Sequence, residues 1–275
     1  MSSAIHSSQL VASTDFAFQR GLSLDQLHNV VPAAFAEHAF ANTSPQYVFI
    51  STAQLVAALM NAGFQPTRAR QANARGERSG YAKHMIRFRH ARESVTLVDA
   101  VPEVVLINAH DGTSAYQLRA GLFRPVCTNG LMTRMGDFGL IHVPHRGDIV
   151  ANVVDGALEI TRGFSGMGEV IERMARTELD DMQRRRFAEG ALRIRYRDGQ
   201  HVPLDAARLL EARRPDDAGR DVWRTYNCVQ ENIMKGGIGS RSAAGRATRT
   251  RAIRAVREDV RINVALWQLA TSLIG

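Results

Sequence analysis

Between Val101 and Met132 the sequence alternates short β-rich runs with residues that favour tight turns. In His110-Asp111-Gly112 the glycine suits a turn position with positive φ, and the aspartate can bond to its own backbone. Asn129-Gly130 is a second strong turn pair. Short strands joined by tight turns are typical of an antiparallel meander and disfavour a doubly wound parallel sheet.

A helix is predicted earlier in the chain, after Ile50. Ser51 or Thr52 can cap it, Leu55 and Leu59 lie on its apolar stripe, and Gly63 suits the position just after its end. These residues predict a helix that packs one apolar face on the sheet.

Tyr81–His90 has the period-two pattern of a half-buried strand. Ile86 and Phe88 are expected to point inward, and Arg87 and Arg89 are expected on the opposite face. The segment therefore predicts a strand with one apolar face and one basic face.

Further strands are predicted over Asp148–Val154 and Ala157–Thr161, with Asp155-Gly156 as their hairpin turn. Leu192–Tyr196 also has a short β-like composition. The remaining C-terminal pattern is helical, with one helix from Asp221 to Met234.

A glycine-rich basic loop, Gly236–Gly245, is expected after that helix, and a long helix from Arg246 to about Leu273. The predicted fold is α+β: an antiparallel β-meander or curved sheet with packed helices and an all-helical C-terminal region. Residues 1–44 are expected to be loosely ordered, and 45–275 to form a single domain, mainly β over 45–165 and mainly helical over 166–275.

The charge of the chain points to a polyanionic partner. The net charge is +8, and only Lys83 and Lys235 among the 35 basic residues are lysines. Positive charge attracts phosphates, and the planar guanidinium group of arginine can form bidentate hydrogen bonds to a phosphate and can stack on bases. A GC-rich genome would explain arginine in place of lysine but would not explain the excess of positive charge.

Other sequence features exclude several classes of protein. No apolar run is long enough to cross a bilayer, and the first residues lack the pattern of a secretory signal. Cys127 and Cys228 are isolated, which disfavours a disulfide framework and a structural zinc site. The sequence thus predicts a cytoplasmic protein with two free thiols, no cofactor and no membrane partner.

Two groups of arginines are candidates for nucleic-acid binding, one on the two extended segments predicted over Phe64–Ala74 and Tyr81–His90 and one around the start of the last helix. Their members are Arg68, Arg70, Arg87, Arg89, Arg241, Arg246, Arg249, Arg251, Arg254, Arg257 and Arg261. Basic residues at a helix N-terminus oppose the helix dipole unless an anion binds there, and glycine-rich N-termini favour anions. The alternatives are a solvated basic face and a solvated linker.

A weaker set of residues has the chemistry of catalysis. His84, His110, Asp111 and Cys127 would supply acid–base or nucleophilic groups if the strands brought them together. The spacing does not require that they meet, and Asp111 has a structural reason to occupy a turn. His142 and His145, with His110, are a poor metal set because the chain lacks the usual carboxylate or thiolate partners.

The chain resembles a known family over roughly Gln46 to its C-terminus. The resemblance rests on these segments, in the same order: Tyr47-Val-Phe-Ile-Ser-Thr52, Lys83-His-Met-Ile-Arg-Phe-Arg89, Asn108-Ala-His-Asp-Gly-Thr-Ser-Ala-Tyr-Gln117, Gly121-Leu-Phe-Arg-Pro-Val-Cys-Thr-Asn-Gly-Leu131, Asn227-Cys-Val-Gln-Glu-Asn232 and Asn263-Val-Ala-Leu-Trp267. They are similar to the family called domain of unknown function 932, also labelled phage/plasmid-like protein. The resemblance implies a setting in bacterial plasmids, prophages and integrated elements, often beside genes of DNA metabolism or anti-restriction. It implies no reaction and no catalytic residues.

Three functions remain open at this stage. The first is a non-enzymatic DNA-binding protein of a mobile element, with single-stranded DNA favoured and strand annealing as one form of it. The second is an enzyme on nucleic acid or nucleotide that uses His84, His110, Asp111 and Cys127. The third is an anti-defence protein that binds a host protein through a large exposed apolar patch. A homo-oligomer is compatible with each of them.

Overall fold

The structure is a computed structural model that describes the chain from residue 21 onward with several gaps. The described residues are 21–41, 43, 47–91, 100–114, 116–123, 130–132, 140–141, 149–196 and 199–275, with the backbone alone at 130–132 and 140–141. Residues 1–20 of the segment 1–44 that was predicted to be loosely ordered, the turn at Asn129, and Cys127, His142 and His145 lie outside them.

The described residues form two compact units. The first lies within 1–95, 101–120 and 140–162, and the second within 96–100, 121–139 and 163–275. The first unit contains the antiparallel strands and the helices that pack on them, and the second is mainly helical. The predicted α+β class, with its antiparallel sheet and helical C-terminal region, is confirmed.

The helices and strands of the first unit follow the predicted order through β4. They are α1 (Leu24–Val30), α2 (Thr52–Asn61), β1 (Phe64–Gln71), β2 (His84–His90), β3 (Val101–Asn108), β4 (Gln117–Phe123, whose last three residues belong to the second unit), β6 (Leu140–Ile141) and α3 (Ile149–Arg162). Strands β1, β2, β3 and β4 are neighbours in chain order, and β6 pairs with β4. Short 3₁₀ helices occupy Pro32–Phe35 and Gly76–Tyr81.

The helix caps around α2 agree with the sequence. The Ser51 hydroxyl accepts a hydrogen bond from the Gln54 amide, and Gly63 follows the helix with φ of 91°. Leu55 and Leu59 are buried, and α2 contacts β1 while α3 contacts β3. The two helices also contact each other, so their apolar faces and one face of the sheet form the core of this unit.

The hairpin predicted around Asp155-Gly156 is wrong, because residues 149–162 form the single helix α3. The β-branched residues there suggested strands, but Val153, Ala157 and Ile160 recur at helical spacing and are all buried. Gly156 is buried as well, in the middle of the helix. Burying these side chains on one face of a helix stabilises the segment more than their local preference for extended backbone destabilises it.

The second unit is built around one helix that is almost wholly buried. Its elements are β5 (Gly130–Met132), α4 (Phe164–Arg176), α5 (Asp181–Arg195), α6 (Val222–Lys235), β7 (Gly239–Arg241), β8 (Ala247–Arg249) and α7 (Val256–Thr271), with 3₁₀ helices at Ala206–Leu210 and Pro215–Asp217. Every residue of α6 from Val222 to Met234 is buried except Arg224, and α6 contacts α4, α5 and α7. Strand β5 pairs with the last residues of β4.

Helix α6 has the predicted boundaries, whereas the last helix starts later than predicted. The Asp221 side chain accepts from the Arg224 amide at the start of α6, and Gly236 ends it with φ of 60°. Helix α7 begins at Val256 and not at Arg246. The run of arginines before Val256 has no acidic residue among it, whereas Glu258 and Asp259 fall in the first turn of α7 and favour the helix dipole.

Two further local predictions are wrong in this unit. Leu192 and the residues up to Arg195 end helix α5, where a β-like run was expected. The basic loop expected at Gly236–Gly245 is instead part of the β7–β8 hairpin. No helix in the described part of the chain is long and apolar enough to cross a membrane.

Candidate functional site

A buried polar cluster lies where α2 begins and where β2 and β3 meet. Thr52 is the first residue of α2, His84 begins β2, and Asn108 ends β3 directly opposite His84 in the strand register. His110 follows two residues after Asn108. All four side chains are buried, and we call them the Thr52 cluster.

The Thr52 hydroxyl is the centre of this cluster. Its Oγ1 lies 3.0 Å from His84 Nε2, 3.1 Å from His110 Nε2 and 3.0 Å from Asn108 Nδ2. His84 Nδ1 lies 3.0 Å from the carbonyl oxygen of Ala82 and must donate its proton there. If both imidazoles are neutral, one placement of the protons satisfies all of these distances.

In that arrangement Thr52 donates its hydroxyl proton to His84 Nε2, which carries none of its own. The Thr52 oxygen then accepts from Asn108 Nδ2 and from His110 Nε2–H. His110 Nδ1 is left with a lone pair, and this buried atom makes no hydrogen bond among the described residues. The cluster is thus satisfied except at one imidazole nitrogen.

The two imidazoles are held neutral. Burial lowers the pKa of His84 to about 4, against smaller raising effects from the Ala82 carbonyl and Asp111. Burial likewise lowers the pKa of His110 to about 4, with a further lowering by His84, whose ring centroid lies 5.3 Å away. Neutral imidazoles can accept protons, but both rings have 0% exposure, so a substrate cannot reach them in this arrangement.

The weak catalytic candidates are therefore only partly brought together. His84 and His110 meet, whereas Asp111 Oδ1 accepts bonds from the amide (3.0 Å) and hydroxyl (2.6 Å) of Thr113, as a turn residue does. Sequence reasoning missed Thr52 and Asn108 as members. Thr52 could have been found, because the sequence already placed a hydroxyl residue at the start of the helix. Such a hydroxyl can also hydrogen-bond to polar side chains at the ends of strands on which the helix packs.

The arginines of the β1–β2 pair are placed differently from one another. Arg87 is buried, and its Nε lies 2.6 Å from Glu103 Oε2, while Arg89 Nη2 lies 2.9 Å from Glu103 Oε1. Glu103 has 0% exposure and also accepts a bond from the Thr67 hydroxyl. Arg87 and Arg89 thus share one buried carboxylate within the sheet, and of this group only Arg68 is well exposed.

The second group of arginines lies on the β7–β8 hairpin and the chain that follows it. Between residues 236 and 257 the sequence has six arginines and no acidic residue. They are Arg241, Arg246, Arg249, Arg251, Arg254 and Arg257, and all six are exposed. We call residues 239–257 the arginine segment.

Backbone hydrogen bonds give the arginine segment a defined shape. Gly245, with φ of 75°, makes the hairpin turn, and the Ser242 amide donates to the Arg246 carbonyl at 2.9 Å. Arg241 Nη1 donates to the carbonyl of Gly245 at 3.2 Å, and Arg249 Nη1 donates to that of Gly237 at 3.1 Å. The hairpin therefore fixes the position of at least two guanidinium groups.

Several acidic residues of the second unit pair with arginines outside the arginine segment. Exposed carboxylates pair with Arg176, Arg185 and Arg220 at 2.7–3.4 Å. Among the described residues, no carboxylate forms an ion pair with any of the six arginines of the arginine segment. Arg261, a further nucleic-acid candidate, differs from the six: it binds Glu258 at 2.8 Å and the Ile194 carbonyl at 3.0 Å.

No group of three or more His, Cys, Asp or Glu side chains in the described part of the chain is arranged to hold a metal ion. Cys228 is a buried free thiol, and burial, with smaller effects from Asp217 and Glu231, raises its pKa to about 12. A thiol with that pKa is protonated and unreactive at neutral pH.

Comparison with known proteins gives a family and two curated relatives. The family model described as "Domain of unknown function (DUF932)" matches residues 39–267. This chain belongs to the DUF932 family. It is 40% identical over 256 residues to the UPF0380 proteins YfjQ and YafZ of Escherichia coli (strain K12), covering 93% of this chain and 92% of each relative. No solved structure matches it.

Most described residues of the segments that carry the family resemblance are buried in one or the other unit. In the first unit they supply Thr52, His84, Asn108 and His110, which meet in the Thr52 cluster. In the second, Gln230 Nε2 donates to Asn263 Oδ1 at 2.9 Å, so the segments of α6 and α7 also meet. The choice that the resemblance left open, between shared core and shared surface, is thus decided for these residues in favour of core.

Proposed function

We propose that this protein binds nucleic acid without catalysis, single-stranded DNA in particular, and that the arginine segment is its binding surface. One observation carries the proposal. Six exposed arginines lie within 22 residues, and no carboxylate among the described residues is paired with any of them. Such a surface has its favourable partner outside the chain, and a chain of phosphates supplies it.

The six arginines of the arginine segment carry like charges at close spacing in the chain. Like charges at close spacing repel each other, and exposed ion pairs with nearby acids would relieve that repulsion at little cost. The second unit uses such pairs for Arg176, Arg185 and Arg220 but not for the arginine segment. A phosphate backbone would relieve the same repulsion and release its condensed counterions.

Binding through phosphates predicts little sequence preference and a steep dependence on salt. If all six arginines contact phosphates of single-stranded DNA, log Kd should rise with log salt with a slope of roughly 4. The affinity should then fall about 300-fold between 50 and 200 mM salt. Three contacts would give a slope of roughly 2 and a loss of about 20-fold.

The experiment is fluorescence anisotropy of labelled single-stranded and duplex DNA over a salt series. The test variant is Arg249→Ala/Arg254→Ala/Arg257→Ala. The matched control is Arg176→Ala/Arg185→Ala/Arg220→Ala, which removes the same charge from exposed side chains that are ion-paired in the second unit.

We expect the test variant to lose about half of the salt slope and the control to keep most of it. Absence of binding at 50 mM salt would overturn the proposal. Equal losses in the two variants would also overturn it, because net charge alone would then explain the affinity. Binding to DNA would suit the plasmid and prophage setting that the family resemblance implies.

The two alternative functions have less support from the geometry. An enzyme that uses His84 and His110 would need access to rings with 0% exposure. A host-protein inhibitor would be expected to show a contiguous exposed apolar patch. Among the described residues the exposed large apolar side chains are few and are distributed over four segments, with two of them at opposite ends of α1: Leu24, Val30, Val48, Met182 and Val202.

A further inference from the structure

A pocket lies beside the arginine segment in the second unit. It has a volume of about 380 Å³ and is lined by Arg195, Tyr196, Gln200 and Glu258. That volume is within the range of pockets that bind small molecules, roughly 300–1,000 Å³. A single nucleobase with its sugar is a ligand of suitable size.

Hydrogen bonds attach the walls of this pocket to the arginine segment. Arg195 Nη2 donates to the carbonyl oxygen of Arg251 at 2.9 Å. On the other wall Gln200 precedes His201, whose Nε2 lies 2.9 Å from the carbonyl oxygen of Arg241. The Arg241 amide also donates to the Pro203 carbonyl at 2.8 Å. The pocket is therefore held next to the backbone from which the phosphate-binding arginines extend.

The side chains in the pocket suit an unpaired base. The Arg195 guanidinium lies over the Tyr196 ring, with its Cζ 5.6 Å from the ring centroid. Planar guanidinium and phenol groups are the surfaces on which unpaired bases stack. Gln200 and Glu258 add an amide and a carboxylate, groups that can hydrogen-bond to base edges.

Glu258 is already oriented by its neighbours. Arg261 donates to its Oε2 from Nε at 3.0 Å and from Nη2 at 2.8 Å, and Arg261 Nη1 donates to the Ile194 carbonyl at 3.0 Å. Arg261 thereby joins the end of α5 to the start of α7 and fixes one wall of the pocket. This gives Arg261 a positioning role, distinct from the direct phosphate contact of the six arginines in the arginine segment.

We infer that the Arg195–Tyr196–Gln200–Glu258 pocket binds one unpaired nucleobase of a strand whose phosphates lie on the arginine segment. The inference rests on the proposed function and deepens it. Bases of a duplex are stacked and paired, so only a single strand or a locally opened site can place a base in the pocket. The pocket would thus give the protein its preference for single-stranded DNA.

The test uses the full chain and a single-stranded oligonucleotide with 2-aminopurine at one position, because stacking on an aromatic group changes its fluorescence. The variants are Tyr196→Leu, which removes the ring, and Tyr196→Phe, which keeps it. A second oligonucleotide is abasic throughout, and a third is a duplex. Thermal unfolding of each variant checks that the fold is retained.

We expect wild type and Tyr196→Phe to change the fluorescence and to bind the normal strand roughly 5- to 150-fold more tightly than Tyr196→Leu does. Tyr196→Leu should bind the abasic strand and the duplex as wild type does. If Tyr196→Leu binds all three ligands like wild type, the pocket inference is overturned and the phosphate-binding proposal stands. If wild type binds none of them at low salt, both are overturned.

Discussion

Lowering the pH from 7.5 to 5.5 should destabilise this protein through the Thr52 cluster. His84 and His110 are buried and neutral, with pKa values of about 4 in the folded protein. In the unfolded chain a histidine has a pKa of about 6.5. The folded state therefore binds fewer protons, so the stabilisation is fully present above pH 6.5 and is lost as the pH falls from there towards 4.

The size of the effect follows from these two pKa values. Between pH 7.5 and pH 5.5 each such histidine should lower the free energy of unfolding by roughly 1.3 kcal/mol, and the pair by about 2.7 kcal/mol. Over this interval the result depends almost entirely on the unfolded pKa, provided that the folded pKa stays well below 5.5. The effect is a large fraction of the roughly 5–15 kcal/mol typical of a folded domain.

The assay is urea unfolding followed by circular dichroism at pH 7.5, 6.5 and 5.5. The double variant His84→Asn/His110→Gln replaces both rings with amides that do not titrate. It should be less stable than wild type at pH 7.5, because it loses the bonds around Thr52, but its stability should change less with pH. His28→Gln, at an exposed position, serves as the control and should keep the wild-type dependence.

Two results would refute this reasoning. One is a wild-type free energy of unfolding that does not fall between pH 7.5 and 5.5. The other is a double variant with the same pH dependence as wild type, which would assign the effect to other groups. Either result would mean that the imidazoles are not held neutral by burial around Thr52.

Two further predictions concern a buried ion pair and the glycines that follow helix α6. Glu103→Gln removes the anion between two nearly buried arginines and should cost about 3 kcal/mol or more in urea unfolding, whereas the exposed-pair control Glu172→Gln should cost less than about 1 kcal/mol. Gly236→Ala adds a Cβ at φ of 60° and 2.6 Å from a backbone carbon, so it should cost at least about 2 kcal/mol, while Gly237→Ala, with positive φ but open space, should cost about 1 kcal/mol. Equal costs within either pair would contradict the role assigned to burial or to close backbone approach.

Local sequence patterns predicted those elements whose signals are local. The cap at Ser51 and the glycine at position 63 involve residues within a few positions of each other, and the structure confirms them. The strand predicted over Tyr81–His90 is also present, but its predicted half-buried alternation is wrong, because β2 is buried on both faces from His84 to Phe88. Helix α3 shows the limit of such reasoning. Its β-branched residues and its Asp-Gly pair favour a hairpin locally, and only burial against α2 and β3 selects the helix.

The Thr52 cluster could not be predicted because it depends on strand register. His84 and Asn108 are opposite each other only because β2 and β3 pair in one of several possible registers. The sequence shows polar residues at strand ends but does not show which of them meet. Burial of Arg87 has the same origin, since Glu103 reaches it across the β2–β3 pair.

The positive charge of the arginine segment was easier to predict than its backbone structure. Its charge is a property of composition, and the absence of acids between residues 236 and 257 is visible in the sequence. From the sequence a helix was expected to begin at Arg246, and the backbone amides at the N-terminus of that helix were expected to help to bind phosphate. Helix α7 begins only at Val256, with Glu258 and Asp259 in its first turn. Anion binding by this segment is therefore expected from its guanidinium groups and not from amides at a helix start near Arg246, which is why the test variant removes Arg249 on the hairpin, Arg254 after it and Arg257 in the first turn of α7.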